Sequence, residues 1–359
     1  MNASLYAVVL AGGGGTRLWP LSRVRRPKHL LQLSGDKSML AETFARVKPM
    51  ISEDHLMAIT VADHVEAVRE QVPYLAPQNI VVEPMGRSTA PCIALMAALI
   101  EKSDPDAIMV SLAADHAVED VEEFRRVLGA AIQAAADGHL VTLGIVPDSP
   151  ETGYGYIERG EMLTCMDGHD VYRVLRFTEK PDQKEAEAFL QTGRYFWNAS
   201  IFAWRVSSIL AEVRRLLPHL HRSLKAIQPV LGTAAQQEAV ERVWESVTPV
   251  SIDVGVMEKA NDVVVVPADI GWSDVGCWTS VADLAQADGA GNVVEGQAVV
   301  LDCEDSYIRS SGRLVAGLGL QGMIVVDTGD AVLVCSKDRA QDVKKMVDLL
   351  KREGKDDYL

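Results

Sequence analysis

Four consecutive glycines, Gly12-Gly13-Gly14-Gly15, stand between an apolar run and two fixed cations, Arg17 and, eleven residues later, Lys28. Glycine has no Cβ, so a backbone built from it can approach a ligand closely. Successive N–H groups can then point into one concavity that suits an anion. The apolar stretch Leu5–Ala11 reads as a buried strand, and Leu10-Ala11-Gly12-Gly13-Gly14-Gly15-Thr16-Arg17 as a nucleotide-phosphate loop on its end. Two familiar loops are excluded. A G-x-x-x-x-G-K-[ST] loop needs Lys-Ser or Lys-Thr, and neither follows at that spacing. A G-x-G-x-x-G fingerprint needs glycine where Arg17 or Leu18 stands. The alternative is a glycine-rich tight turn flanked by surface cations.

Other candidate groups recur down the chain. Asp115 lies in Leu112-Ala113-Ala114-Asp115-His116, after an apolar run, and Asp274 in Gly271-Trp272-Ser273-Asp274-Val275-Gly276. Glu83-Pro84-Met85-Gly86-Arg87-Ser88-Thr89-Ala90-Pro91 places a carboxylate and a cation before an apolar helix. Gly153-Tyr154-Gly155-Tyr156-Ile157, Glu179-Lys180-Pro181, Phe196-Trp197-Asn198-Ala199 and Ser251-Ile252-Asp253 follow. Singly, each has a plain structural reading: a turn or N-cap aspartate, helix caps at Ser88 and Thr89, a surface Glu-Lys pair.

In order and spacing, the set resembles the sugar-nucleotide pyrophosphorylases, and among them the mannose-1-phosphate guanylyltransferases, over about residues 5–284 and more weakly in the tail. The resemblance implies GTP and mannose 1-phosphate as substrates. In-line attack of the sugar phosphate on the α-phosphorus would release pyrophosphate. Joining two polyanions requires charge neutralisation and positioning above all. It implies Arg17 on the β/γ phosphates, Lys28 on the α-phosphate, Lys180 on the sugar phosphate, and Asp115 and Asp274 on Mg²⁺. Magnesium binds few protein carboxylates and shares phosphate oxygens. Residues 10–16 with Glu83, Arg87, Thr89 and Ala90 would hold the nucleotide. Glu83 would accept from the N1–H and exocyclic amine of guanine. Gly153, Tyr154, Glu179, Asn198 and Asp253 would meet the sugar. Ser200 stands where the family usually has glycine. Another sugar 1-phosphate is one alternative; a non-catalytic GDP-mannose-sensing homologue is another, though such a protein would be expected to have lost Arg17, Lys28 or Asp115.

Elements able to position these groups are legible. Strands are expected at 5–11, 56–61, 80–83, 107–112 and around 263–266. Helices are expected at 39–48 (with Ser38 as cap), from 63, from 88 through 100 with Pro91 in its first turn, and at 124–136, 206–217 and 234–246. Alternating strands and helices predict an α/β fold, a Rossmann-like, mostly parallel sheet flanked by helices, with ligands beyond the strands' carboxyl ends. Residues 1–285 form the expected nucleotidyltransferase domain. A shift to Ala, Gly and Asp near 285–292 marks a boundary. Residues 292–359, with short strands at 298–301, 306–309, 322–327 and 331–335 and a helix at 340–352, form a small C-terminal β-domain. The resemblance gives that domain left-handed β-helix character, and it leaves no room for the further isomerase-like domain that some relatives carry.

Composition narrows the rest. Of 359 residues, 35 are Lys or Arg and 50 Asp or Glu, a net charge of −15 that disfavours nucleic acid and anionic membrane as partners. No basic segment leads into an apolar leader, and apolar runs such as 92–100 are too short to span a bilayer. The five cysteines are odd in number with no C-x-x-C pair, as in a reduced cytoplasmic protein. The histidines lack zinc-site spacing. The resemblance adds a homodimer.

Overall fold

The computed structural model describes residues 3–33 and 35–359. In chain order the strands are β1 (Leu5–Ala11), β2 (Leu56–Val61), β3 (Ile80–Glu83), β4 (Ile108–Ala113), β5 (Ala117–Val118), β6 (Leu140–Ile145), β7 (Gly155–Met166), β8 (His169–Glu179), β9 (Tyr195–Arg205), β10 (Val263–Ala268), β11 (Trp272–Ser273), β12 (Val293–Leu301), β13 (Tyr307–Leu318), β14 (Met323–Asp327) and β15 (Val332–Ser336). The helices are α1 (Met39–Val47), α2 (Val65–Gln71), α3 (Thr89–Ser103), α4 (Val121–Ala136), α5 (Gln183–Thr192), α6 (Val206–Leu216), α7 (Pro218–Ile227), α8 (Gln236–Trp244), α9 (Trp278–Asp283) and α10 (Val343–Arg352). They gather into two compact units. The first comprises Met1–Gly12, Thr43–Ala114 and Val118–Trp272; the second comprises Gly13–Glu42, Asp115–Ala117 and Ser273–Leu359.

In the first unit the sheet order is β3-β2-β1-β4-β9-β6-β10-β8-β7. Strands β3, β2, β1 and β4 are mutually parallel. β9 enters antiparallel between β4 and β6, and β8 lies antiparallel between β10 and β7. Seven of these nine strands therefore run one way. The continuous apolar sequence of β1 suits a central strand covered on both faces, and Ala7, Val8 and Val9 are fully buried. α3 is apolar nearly all round, and Ala90 and the residues from Cys92 to Ala98 are buried in one cluster with Trp204, Trp244 and Ile252. α4 buries Phe124, Val127, Leu128 and Ala131 on one stripe, and its N-cap Asp120 accepts from the Glu123 N–H at 2.8 Å.

In the second unit β12, β13 and β14 are stacked in parallel, and β15 turns back antiparallel. A bend at Gly296 (φ 76°) interrupts the β12–β13 register, and a Cβ there would lie 2.0 Å from the Ser310 carbonyl oxygen. The core of this unit joins Trp278, Tyr307, Ile324 and Val343 to Leu18, Leu31 and Met39. The Trp19 indole donates to the Tyr358 carbonyl at 2.7 Å, and Trp278 donates to the Trp19 carbonyl at 2.9 Å. Arg23 pairs with Asp330 at 3.0 Å. The stretch after the glycine loop is thus built into the same core as the C-terminal strands.

α5, α7 and α9 are helices beyond those expected. Pro218 looks like a stop after α6, yet it occupies the first turn of α7, where its missing N–H costs nothing. β12 and β13 run longer than the expected 298–301 and 306–309: Gly296 in β12 and Ser310-Ser311-Gly312 in β13 break the apolar pattern in the sequence, yet the strands continue through them.

Candidate functional site

In the second unit the glycine loop is anchored where it turns back. Gly15 has φ 59°, and its carbonyl accepts from the Leu18 N–H at 3.0 Å and the Ser22 hydroxyl at 2.8 Å. A Cβ on Gly15 would fall 2.3 Å from Cβ of Lys28, so this residue alone lets the Lys28 turn close against the loop. Gly13 and Gly14 are exposed beside it, as is Arg17, while Thr16 opens the short turn that carries Arg17. Lys28 is buried to 6% exposure. Its ammonium meets Asp115 Oδ2 at 2.8 Å and also donates to the backbone carbonyl of Asp274. Burial drives the Asp115 carboxyl up, but the Lys28 ammonium, with His116 and His29, outweighs burial and holds it below the ordinary carboxylate range. The Asp274 carboxylate accepts from the Gly276 N–H at 3.0 Å, and the intervening Val275 has φ 47°, a left-handed backbone that branched residues rarely adopt. Three distant segments thus converge on one ammonium.

The first unit carries the other candidates. At the carboxyl end of β1, the Leu10 carbonyl accepts from the Ala114 N–H at 3.2 Å and the Ala11 carbonyl from Thr60 at 2.8 Å; Gly12 follows, exposed. At the parallel end of β3, Glu83 is 4% exposed. Burial raises its carboxyl, against the opposing pull of the Cys92 thiol, the Arg87 backbone and Trp244. The Arg87 guanidinium donates to the carbonyls of Trp244 (3.1 Å) and Glu245 (2.8 Å), satisfying the C-terminal end of α8. Thr89 Oγ1 accepts from the Ile252 N–H at 2.8 Å, and the Ala90 N–H donates to the Val250 carbonyl at 3.1 Å; both hold the segment before Asp253.

A second cluster of the first unit surrounds Asn198. Its side-chain amide donates to Asp253 at 2.8 Å and accepts from Thr142 at 3.2 Å and from the Ser200 N–H at 3.1 Å. Ser200 takes the left-handed backbone (φ 51°) that a glycine would adopt freely. Asp253 opens a π-helical turn, Asp253–Met257. Burial, reinforced by the nearby Glu179 carboxylate, pushes its carboxyl up to about 6. Lys180 pairs with Glu179 at 3.1 Å and is itself left-handed (φ 50°), its N–H donating to the Tyr154 carbonyl at 3.2 Å. The Tyr154 ring packs edge-on against Trp197 and Trp272. Gly153 donates to Glu151 at 2.9 Å. Gly155 is the more tightly faced of the two: a Cβ there would lie 2.7 Å from Glu179 Oε2, so the Glu179 carboxylate would have to shift, and 3.3 Å from the Phe177 ring. The sequence offered T-G-Y-G-Y but no means of ranking its two glycines. Cys92, Thr142 and Trp244 carry no motif signal, and only the packing reveals them.

In the second unit the glycine turn closed on a buried lysine-aspartate pair can meet an anionic phosphate, and in the first unit the Asn198–Asp253 amide-carboxylate cluster can meet a hydroxyl-rich ligand. Comparison with known proteins makes this specific. The nucleotidyl transferase family model matches residues 6–290, and a MannoseP isomerase/GMP-like beta-helix domain matches residues 296–350. Proteins of Klebsiella pneumoniae and Escherichia coli named mannose-1-phosphate guanylyltransferase are each 41% identical over 357 residues, covering 99% of this chain and 75% of theirs. The structure of a Thermus thermophilus protein described as mannose-1-phosphate geranyltransferase superposes with a TM-score of 0.87 at 36% identity, over 97% of this chain and 99% of that one. The chain belongs to the nucleotidyl transferase family, in its mannose-1-phosphate guanylyltransferase branch.

Proposed function

We propose that the chain transfers GMP from GTP to mannose 1-phosphate. A phosphate oxygen of mannose 1-phosphate forms a bond to the α-phosphorus of GTP as the α–β bridging P–O bond breaks, giving GDP-mannose and pyrophosphate. The nucleophile is already an anion, so no general base is required, and the residues act by charge and position. Lys28, fixed by Asp115 and the Asp274 carbonyl, supplies positive charge to the α-phosphate. Exposed Arg17 takes the β/γ phosphates and Lys180 the sugar phosphate. Glu83 accepts from the guanine edge, and Asn198, Asp253 and Glu179 address sugar hydroxyls.

The observation that carries this reading is the buried Lys28 ammonium, which ties the glycine loop, Asp115 and Asp274 together. Asp115 and Asp274 are the carboxylates assigned to Mg²⁺, a cation that needs only one or two from the protein; Lys28 links Asp115 through its side chain and Asp274 through its backbone carbonyl. Among the described residues no three His, Cys, Asp or Glu side chains form a fuller metal cage. When bound, the ion supplies neutralising charge to the phosphates. A cytoplasmic homodimer completes the reading. The five free cysteines suit the compartment, and exposed Leu301, Leu314 and Leu318 on the C-terminal strands are surface that a partner copy would cover. No helix among the described residues is long and apolar enough to cross a membrane. Pyrophosphate release from GTP with a panel of sugar 1-phosphates tests the activity. Mannose 1-phosphate should rank among the best acceptors, and the reading fails if it does not.

A further inference from the structure

The two oxygens of Glu83 have different surroundings. Oε2 accepts a hydrogen bond from the Cys92 thiol at 3.3 Å, whereas Oε1 lies 4.0 Å from where a Cβ on Gly12 would stand. One oxygen is turned toward α3 and the other toward the first glycine after β1. Cys92 sits on the first turn of α3 and is 7% exposed. Its sulfur is also 3.2 Å from the Ser88 carbonyl, so the thiol is held on the acceptor side of Glu83. A thiol has one hydrogen, and a carboxylate is the stronger acceptor of the two. Burial and the Glu83 charge both raise the thiol, so it remains a protonated donor. Trp244 donates to the Met85 carbonyl at 2.9 Å and fixes the backbone just after Glu83.

We propose that Cys92 is a positioning residue for base selection: its thiol holds one Glu83 oxygen so that the other faces the N1–H and exocyclic amine of guanine. This rests on the reading of Glu83 as the group that meets the base. Without the thiol, Glu83 keeps the Arg87 backbone and Trp244 as partners but loses the donor that fixes Oε2, and with it the orientation of Oε1 that distinguishes guanine from hypoxanthine, which lacks the exocyclic amine.

The test uses the full chain, with GTP and ITP as nucleotides and mannose 1-phosphate as acceptor. C92V removes the donor at similar volume, C92S keeps a donor, and E83Q probes the underlying reading. C92V should raise KM for GTP about tenfold, equivalent to about 1.4 kcal/mol, with kcat little changed and KM for mannose 1-phosphate untouched. Its preference for GTP over ITP should fall several-fold, and the acid limb of the GTP KM profile should move to higher pH because Glu83 loses a donor. C92S should restore both. If C92V does not fold, C92S carries the test alone, since a hydroxyl donor should keep GTP preference near wild type and a lost preference overturns the proposal. Unchanged preference in C92V alongside a collapsed preference in E83Q refutes the role of Cys92 while leaving Glu83 as reader. Unchanged preference in E83Q refutes the reading of Glu83 and, with it, this proposal. An equal rise in KM for both substrates in C92V marks a general structural effect and also overturns it.

Discussion

Gly15→Ala should cost far more activity than stability. Gly15 has φ 59°, and an L-residue in the left-handed region costs about 1–2 kcal/mol. That sets the least stability loss, measurable by urea unfolding, to which separating the packed segments adds. The effect on turnover has a different origin. The added methyl would lie 2.3 Å from Cβ of Lys28 and 3.3 Å from its Cα. Carbon atoms rest about 3.5–4.0 Å apart, so the two segments must separate by about 1.2 Å or more. Lys28 cannot yield by changing rotamer, because its Cβ is fixed by the backbone of the turn Lys28–Leu30. Moving that turn carries the ammonium away from Asp115, opening a 2.8 Å contact beyond hydrogen-bond range, about 3.5 Å. A misplacement of about 1 Å in a positioning group lowers rates about 10²-fold. Steady-state pyrophosphate release should therefore show kcat/KM reduced about a hundredfold in a protein that still unfolds cooperatively. A G15A enzyme within about threefold of wild type would refute the claim that loop closure on Lys28 positions the charge.

Two further outcomes follow from the same geometry. Asp115→Asn removes the carboxylate that Lys28 and the proposed Mg²⁺ share, so magnesium-dependent turnover should be lost while circular dichroism stays native. Near-normal activity would remove Asp115 from the metal assignment. Asp253 holds its proton up to about pH 6, against an ordinary value of 3.8. The folded state therefore binds more protons than the unfolded chain between those values, and stability falls as pH rises through that window. The full linkage is about 3 kcal/mol, an upper bound for a side chain partly open to solvent. Asp253→Asn keeps an acceptor for Asn198 and should flatten the decline in urea midpoint between about pH 4.5 and 7; an unchanged slope would show that other groups cause it.

Much of this architecture is legible in the sequence because it depends on local chemistry. β1 is visible as an apolar run broken by glycine, α3 as an apolar helix with proline in its first turn, and β2, β3 and β4 as short apolar runs between polar segments. What escapes is long-range. Arg87 reads in its motif as a nucleotide-binding residue, and nothing local shows that its guanidinium also serves the end of α8, more than 150 residues away, where unpaired helix carbonyls attract it. The stretch 13–42 belongs to the compact unit of the C-terminal strands, a grouping that no linear boundary can express.

The glycines show the limit most sharply. Gly12 to Gly15 are chemically identical in the sequence, and so are Gly153 and Gly155. Yet only Gly15 faces Lys28 at a distance no side chain tolerates, and only Gly155 lies against the Glu179 carboxylate. Whether a glycine is required depends on what stands opposite it in the fold. For both residues, that opposing group is a charged side chain of the candidate site. A glycine motif therefore marks a close approach, and the residue across from it shows what the approach is for.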